Sequence, residues 1–235
     1  MISKRKGIVI MCAAAVFVIA LSKWMKNDSM VSRTEDKKLI AIDPGHGGFD
    51  PGKVGLCQSI EKNINLSIAL ELKKQLEKNG YQVVMTRELD EALHEEGSSH
   101  ITKRMDMKKR VDFINQSDAE IAVSIHQNSF TESSPRGAQV FYHTRSEAGK
   151  ELALVLQAKI KEVLADGNYR EAKTNEDYYM LKKTTCPFVI VECGFLSNQE
   201  EAALLVTEEY QKKVATAISQ GIFEYFKREE LKIIS

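Results

Sequence analysis

Four side chains that follow apolar runs or open a predicted helix are of types that can bind a metal ion or move a proton: His46, Glu61, His126 and Glu192. His46 lies in the run Asp43-Pro44-Gly45-His46-Gly47-Gly48. The glycines allow a tight turn and leave the imidazole unobstructed. Imidazole and carboxylate groups are common zinc ligands, and a carboxylate can also be a general base. For His46 alone, a surface histidine in an ordinary glycine-rich turn remains the alternative.

The other three candidates also have structural alternatives. Glu61 opens a predicted helix, where the helix dipole favours an acid, and His126 could be a hydrogen-bonded core histidine. Glu192 is harder to explain, because it follows the apolar residues Phe188–Val191 and a buried carboxylate is costly unless paired, protonated or bound to a cation. Two imidazoles and a carboxylate form a common zinc set with an open position for water, and a second carboxylate can act as general base.

Hydrophobic periodicity predicts the elements that position these residues. The expected strands are Leu39–Asp43, Tyr81–Thr86, Ile121–His126, Ala138–Tyr142 and Phe188–Glu192. The expected helices are Glu61–Asn79, Lys103–Asn115, Glu147–Leu164 and Glu200–Lys227, the last as one helix or two.

Two predicted strands contain runs that are apolar on both faces, Ile121–Val123 and Phe188–Val191, which is typical of a sheet covered by helices on both sides. We therefore predict an α/β fold with three layers and a mostly parallel twisted sheet. Ligands of such sheets bind at the carboxyl ends of the strands, so the zinc site is expected there.

The composition is that of an ordinary globular protein and excludes one class of function. The chain has 235 residues, 43% of them hydrophobic, with 33 basic and 33 acidic side chains. This length is sufficient for one domain with a sizeable core. Zero net charge and the lack of a basic stripe with interleaved aromatics argue against nucleic-acid binding.

The amino-terminal segment has the pattern of an export signal. Lys4-Arg5-Lys6 precedes an apolar run, and Trp24 follows it. The body of the protein is therefore expected outside the cytoplasm, with membrane contact only through residues 7–25. The expected organisation is a signal peptide or membrane anchor (1–25), a linker (26–37), a catalytic domain (38–228) and a tail (229–235). Whether the segment is cleaved stays open.

The four cysteines, at positions 12, 57, 186 and 193, have no paired metal-binding spacing. We expect buried thiols that pack as small hydrophobes. A Cys57–Cys186 bridge stays open as an alternative for an exported protein. The charged run Lys103–Arg110 is interpreted as the solvated face of a helix that points Met107, Val111 and Ile114 inward.

The ordered blocks of sequence around these residues resemble a known family. From Lys38 to about Lys227 the chain is similar to the zinc-dependent N-acetylmuramoyl-L-alanine amidases of bacterial cell walls. The matching blocks are Ile42–Gly48, Glu61–Leu66, Thr86-Arg87, Arg110–Asn115, Ser124–Asn128 and Val191–Asn198.

The resemblance implies that His46, Glu61 and His126 bind one Zn²⁺ and that Glu192 is the catalytic carboxylate. The substrate would be peptidoglycan, cleaved between N-acetylmuramic acid and L-alanine. Asn128, two residues beyond a ligand, is a candidate substrate contact. Arg87 and Arg110 are interpreted as structural.

Within the family, the chain is most similar to the sporulation and germination branch. Members of that branch are short, carry an amino-terminal hydrophobic segment and lack a wall-binding module. The resemblance implies an exported enzyme of the developing spore envelope that acts on cortex before muramic δ-lactam formation, with an accessory protein as a plausible partner. A vegetative wall amidase, another zinc peptidase and a non-catalytic wall-binding protein are the alternatives.

Three features near the expected cleft stay undecided. The polar loop Glu88–Ser99 could be a lid or a partner-binding surface. Tyr178 and Tyr179 either line the cleft or pack in the core. His143 follows a predicted strand and could approach the cleft.

Overall fold

The computed structural model of the protein describes residues 37–93 and 102–234. The predicted signal peptide or anchor, nearly all of the linker after it, and the second half of the Glu88–Ser99 loop lie outside these residues. Of the helices described, none has the length and apolar composition needed to cross a membrane.

Six strands form one mostly parallel sheet. They are β1 (Leu39–Pro44), β2 (Gln82–Met85), β3 (Ile121–Asn128), β4 (Gln139–Tyr142), β5 (Lys173–Thr174) and β6 (Phe188–Phe195). Their order in the sheet is β2-β1-β3-β6-β4-β5. β1, β2, β3 and β6 are parallel, whereas β4 is antiparallel to β6 and parallel to β5. The carboxyl ends of β1, β3 and β6 therefore meet at one edge.

Helices cover both faces of this sheet. They are α1 (Glu61–Lys78), α2 (Lys103–Gln116), α3 (Glu147–Leu164), α4 (Tyr179–Lys183), α5 (Gln199–Leu205) and α6 (Glu208–Ile234). α1, α3 and α6 share the larger hydrophobic core on one face, and α2 and α4 share a smaller core on the other. The predicted three-layer α/β fold is confirmed.

Alternation along the strands divides the side chains between the two cores. In β1, Ile40 and Ile42 enter the larger core, while Ala41 enters the smaller one with Val111 and Ile114 of α2. Because successive strand residues point to opposite faces, Asp43 at the end of β1 points toward α2.

Two short elements are absent from the sequence prediction, and two strands are longer than expected. β5 has two exposed residues and α4 has five residues, too few for either to show a hydrophobic period. β3 and β6 continue past His126 and Glu192 because Asn128 and Phe195 still pair with each other. A β-bulge separates these two pairs, directly beyond the His126–Glu192 pair.

The carboxyl-terminal region forms two helices, as one of the two alternatives predicted. The backbone N–H of Tyr210 donates to the Thr207 hydroxyl, which caps the start of α6. α6 runs to Ile234, so residues 229–234 of the predicted tail are helical. The Lys232–Glu229 ion pair, three residues apart on the helix surface, supports this extension.

Burial corrects two further expectations. Met107 is exposed, and α2 instead buries Asp106 and Arg110, for a reason that the site explains. Cys193 is buried, but Cys57 is exposed and Cys186 is partly exposed. All three are free thiols, so the alternative Cys57–Cys186 bridge is not formed.

Candidate metal centre

His46, Glu61 and His126 converge at the carboxyl edge of the sheet. Glu61 Oε1 lies 3.2 Å from His46 Nε2 and 3.0 Å from His126 Nδ1. The two imidazole rings meet edge to face, with centroids 4.9 Å apart. One donor atom from each residue lies within 4.8 Å of the others. The arrangement can hold a metal ion.

The loop after β1 delivers His46 in an unusual backbone conformation. Its φ of 62° is in the left-handed region, which non-glycine residues seldom adopt. The Arg110 Nη2 group donates to the His46 carbonyl over 2.6 Å, and Gly47 and Asp50 exchange two backbone hydrogen bonds. These contacts hold the strained turn in place.

Asp50 fixes which nitrogen of His46 is available. Its Oδ2 lies 2.8 Å from His46 Nδ1, which leaves Nε2 directed at Glu61. A carboxylate on the second imidazole nitrogen is the usual way in which proteins orient a histidine ligand. Sequence reasoning missed this role, for which the only available signal was a carboxylate four residues after a loop histidine. Lys103 pairs with the other Asp50 oxygen at 2.7 Å.

Two glycines make room for the ligand side chains. A Cβ atom at Gly45 would lie 2.1 Å from His126 Nε2. At Gly52, a Cβ would lie 2.6 Å from Glu61 Oε2 and 2.7 Å from His46 Cδ2, and its φ of +67° also favours glycine. The glycines of this loop therefore serve close packing against the ligands as well as the turn itself.

Glu61 lies in the first turn of α1, where the helix dipole favours an acid. Its contacts with His46 and His126 show that it also belongs to the metal-ligand cluster. The carboxylate is 4% exposed and accepts from the backbone N–H groups of Lys53 and Gln127. Burial alone would raise its pKa, but hydrogen bonds from His126 and His46 hold that pKa far below its usual range. Glu61 is therefore held as an anion between two imidazoles.

The electrostatics of the cluster favour positive charge among its donors. Burial disfavours protonation of His126, yet its hydrogen bond to Glu61 and the charges of Glu61 and Glu192 raise its pKa to about 9. The negative charges that favour a proton on His126 would also attract a bound cation. A set of two imidazoles and one carboxylate suits zinc. The residues present therefore fit the metal that the family resemblance implies.

Glu192 lies beside the cluster, opposite His126 in the β3–β6 register. Its side chain is 8% exposed, and its Oε2 is buried without a hydrogen-bond partner among the described residues. Burial, with the nearby charge of Glu61, outweighs the histidines and raises the Glu192 pKa to about 7. Such a carboxyl can both take up and release a proton near neutral pH.

Comparison with known proteins decides the family. The Amidase_3 family, described as N-acetylmuramoyl-L-alanine amidase, matches residues 40–224. The chain belongs to the Amidase_3 family. It is an N-acetylmuramoyl-L-alanine amidase that acts on peptidoglycan, and the resemblance inferred from its sequence is confirmed.

Individual relatives agree with this assignment. The amidase is 39% identical to the germination-specific N-acetylmuramoyl-L-alanine amidase of Bacillus subtilis, over 80% of each chain. It is 42% identical to the CwlD amidase of Clostridioides difficile, solved in complex with the GerS lipoprotein, with a TM-score of 0.78 over 81% of this chain and 99% of that one. The catalytic domain of CwlV from Bacillus (Paenibacillus) polymyxa is 32% identical, with a TM-score of 0.70 over 81% and 98% of the two chains.

In this amidase, Asp43 takes part in a buried polar network at the end of β1. It is 1% exposed and accepts hydrogen bonds from the Thr86 and Ser124 hydroxyls and from Arg110 Nη1. Arg110 also pairs with Asp106. The polar network explains why α2 buries Asp106 and Arg110 against the end of β1, since each charge needs its partner there.

Arg87 supports the loop that follows β1 and carries His46. Its guanidinium donates to the backbone carbonyls of Pro44, Gly45 and Lys62. It is 2% exposed. These contacts are between Arg87 and the backbone, which is what the structural interpretation of this arginine predicted.

Asp43 should make the stability of the amidase fall in acid. Burial alone would raise its pKa, but the Arg110 charge and the two hydroxyl hydrogen bonds lower it to about 2, from 3.8. As the pH falls, the Asp43 carboxylate is therefore protonated in the unfolded chain before it is protonated in the folded chain. The folded state loses about 2 kcal/mol of stabilisation from Asp43 between about pH 4 and pH 2. Chemical unfolding measured over this range should show a shallower decline for Asp43→Asn. An unchanged slope would contradict the assignment.

The remaining candidate residues lie at different distances from the centre. Asn128 ends β3, where its side-chain oxygen accepts from the Ser129 backbone N–H. His143 follows β4, whose last residue, Tyr142, pairs with Val189 near the start of β6. Because β4 runs antiparallel to β6, His143 lies toward the opposite edge of the sheet and does not approach the cleft.

Proposed function

We propose that this amidase is a zinc enzyme of the spore cortex that holds one metal ion through His46, Glu61 and His126. It hydrolyses the amide bond between N-acetylmuramic acid and L-alanine, a step toward muramic δ-lactam formation and germination. The observation that carries the proposal is the convergence of three metal-ligand side chains beside Glu192, a buried carboxylate with an unpartnered oxygen.

The donor set determines what the metal can contribute. When bound, zinc supplies Lewis-acid polarisation of the scissile carbonyl and makes a water molecule more acidic. Asp50 holds the His46 ring through Nδ1, so that the Nε2 lone pair remains available to a metal ion. The Lys53 and Gln127 backbone N–H groups keep the Glu61 carboxylate in place without neutralising it.

Glu192 moves the proton. It takes a proton from the attacking water as the oxygen–carbon bond forms at the lactyl carbonyl, and it returns that proton to the alanine nitrogen as the carbon–nitrogen bond breaks. The products are a free lactyl carboxylate on muramic acid and a peptide with a free amino-terminal L-alanine. The raised pKa of Glu192 suits both transfers.

Asn128 is proposed as a substrate contact. Its side-chain oxygen is engaged by the Ser129 N–H, which directs the amide group at the end of β3, two residues beyond His126. The amide N–H groups are then available to a carbonyl of the substrate.

The cellular setting is proposed from relatives and from the amino-terminal pattern. A relative 39% identical is germination-specific. The structural relative that carries a GerS lipoprotein supports an accessory protein as a partner here as well. Residues 1–25 would export the enzyme and either be removed or anchor it. The proposed location of the catalytic domain, 38–228, is the developing spore envelope.

Removal of the metal tests the chemistry. The purified enzyme should contain about one zinc per chain, lose hydrolysis of peptidoglycan after chelation and regain it with zinc. Mass spectrometry of the products should show new amino-terminal L-alanine. Cleavage at another bond, or full activity of the metal-free protein, would contradict the proposal. The cortex role is tested separately by gene deletion, after which spore cortex should lack muramic δ-lactam.

A further inference from the structure

Tyr178 is placed by an ordered turn at the start of α4. The backbone N–H groups of Asp177 and Tyr178 both donate to the Asn175 side-chain oxygen. The Tyr178 carbonyl accepts from the Lys182 N–H. These bonds fix the direction in which the tyrosine side chain leaves the backbone.

The aromatic ring lies on the same face of the sheet as Glu192. It contacts the Phe141 ring edge to face, with centroids 5.9 Å apart. Phe141 pairs with Ile190 in the β4–β6 register, and Glu192 is two residues further along β6. Residues two apart in a strand share a face. Phe141, Ile190 and Glu192 therefore lie on one face of the sheet, and the Tyr178 ring packs on that face.

The backbone on either side of Tyr178 is anchored away from the metal centre. Before α4, the Asn175 N–H donates to the Tyr142 carbonyl at the end of β4. The Lys183 carbonyl, at the end of α4, accepts from the Asn115 side chain at the end of α2. Phe188 begins β6 five residues later, so this end of α4 lies near the edge opposite the metal centre. Tyr178 precedes α4, so it approaches Glu192 through its side chain, which leaves this turn across the Phe141 ring.

The hydroxyl of Tyr178 is free to meet a ligand. Within the part of the chain that the structure describes, Tyr178 makes hydrogen bonds through its backbone and none through its hydroxyl. The residue is 39% exposed. Burial and the charges of Glu192 and Glu61 raise its pKa, so the phenol is a neutral donor at neutral pH. Tyr179, in contrast, packs against the smaller core.

We propose that the Tyr178 hydroxyl donates a hydrogen bond to a peptide carbonyl oxygen of the bound stem peptide, on the Glu192 side of the metal centre. The inference rests on the proposed roles of that centre and of Glu192. It answers what the sequence left undecided for this pair of tyrosines: Tyr178 contacts substrate, whereas Tyr179 packs.

Tyr178→Phe removes the hydroxyl and keeps the ring on Phe141. With soluble glycan strands that carry stem peptides, kcat/KM should fall about five- to tenfold, the effect of one neutral hydrogen bond. Zinc content and Tm should equal those of the wild type. Tyr179→Phe, the same chemical change one residue away, should leave kcat/KM unchanged.

Equal kcat/KM for Tyr178→Phe and Tyr179→Phe would overturn the inference. So would a fall in zinc content or Tm for Tyr178→Phe, because the tyrosine would then act through the fold. These results are distinct from failure of the proposed function, which would appear in the wild-type enzyme as activity without metal or as cleavage at another bond.

Discussion

Glu192→Gln should bind zinc as the wild type does and lose about a thousandfold in kcat. Glutamine has the same shape but cannot take the proton from water, and general acid–base groups contribute about 10²- to 10⁴-fold. Glu192 donates no ligand atom to the cluster of His46, Glu61 and His126. Metal analysis and release of amino-terminal L-alanine from peptidoglycan measure the two properties on the same sample.

A second buried glutamate supplies the control. Glu201 is 3% exposed and accepts from the Gly137 and Phe195 backbone N–H groups. Glu201→Gln should lower the free energy of unfolding by about 1 to 2 kcal/mol through the weakened hydrogen bonds and leave kcat unchanged. Retained kcat in Glu192→Gln, or an equal loss in Glu201→Gln, would remove Glu192 from its assigned role.

Gly45→Ala should weaken zinc binding by about 100-fold and reduce activity in parallel. The new methyl group would lie 2.1 Å from His126 Nε2, so the imidazole has to move by more than an ångström. Loss of the orientation of a metal ligand costs about 10- to 100-fold in metal affinity, and a displacement of about 1 Å costs about 100-fold in rate. Zinc affinity, measured by competition with a chelator, tests the effect without recourse to activity.

Gly167→Ala separates this steric effect from a loss of stability. Gly167 has a φ of +75°, and a Cβ there meets no atom within 4 Å. Alanine should strain the backbone and lower the free energy of unfolding by about 1 kcal/mol, while zinc affinity stays at the wild-type value. If Gly45→Ala also keeps that affinity, His126 is not held against Gly45 as the structure indicates.

The predictable part of the fold was the part with long periodic segments. Helix Glu61–Lys78 and the strands around Ile42 and Val123 follow directly from their apolar spacing. β5 could not be predicted, because its two exposed residues have no apolar pattern. The pairing of Asn128 with Phe195, which lengthens β3 and β6, depends on a neighbouring strand that is distant in sequence.

Burial of charge was one source of error. The sequence of α2 suggests a charged exterior with Met107 inward, but the structure exposes Met107 and buries Arg110 against Asp43. A buried arginine needs oppositely charged partners, and one partner of Arg110, Asp43, comes from β1. Helical spacing alone contains no information about Asp43.

The sequence by itself determined the α/β fold, the family and the four residues on which the proposed chemistry depends, because side-chain type and strand position are local properties. Tertiary structure decided how those residues are supported. It placed Asp50 on His46 Nδ1, packed Gly45 against His126 and left the Glu192 oxygen unpartnered. These contacts join segments far apart in the chain or depend on the angle of one turn, and only the folded backbone sets such distances.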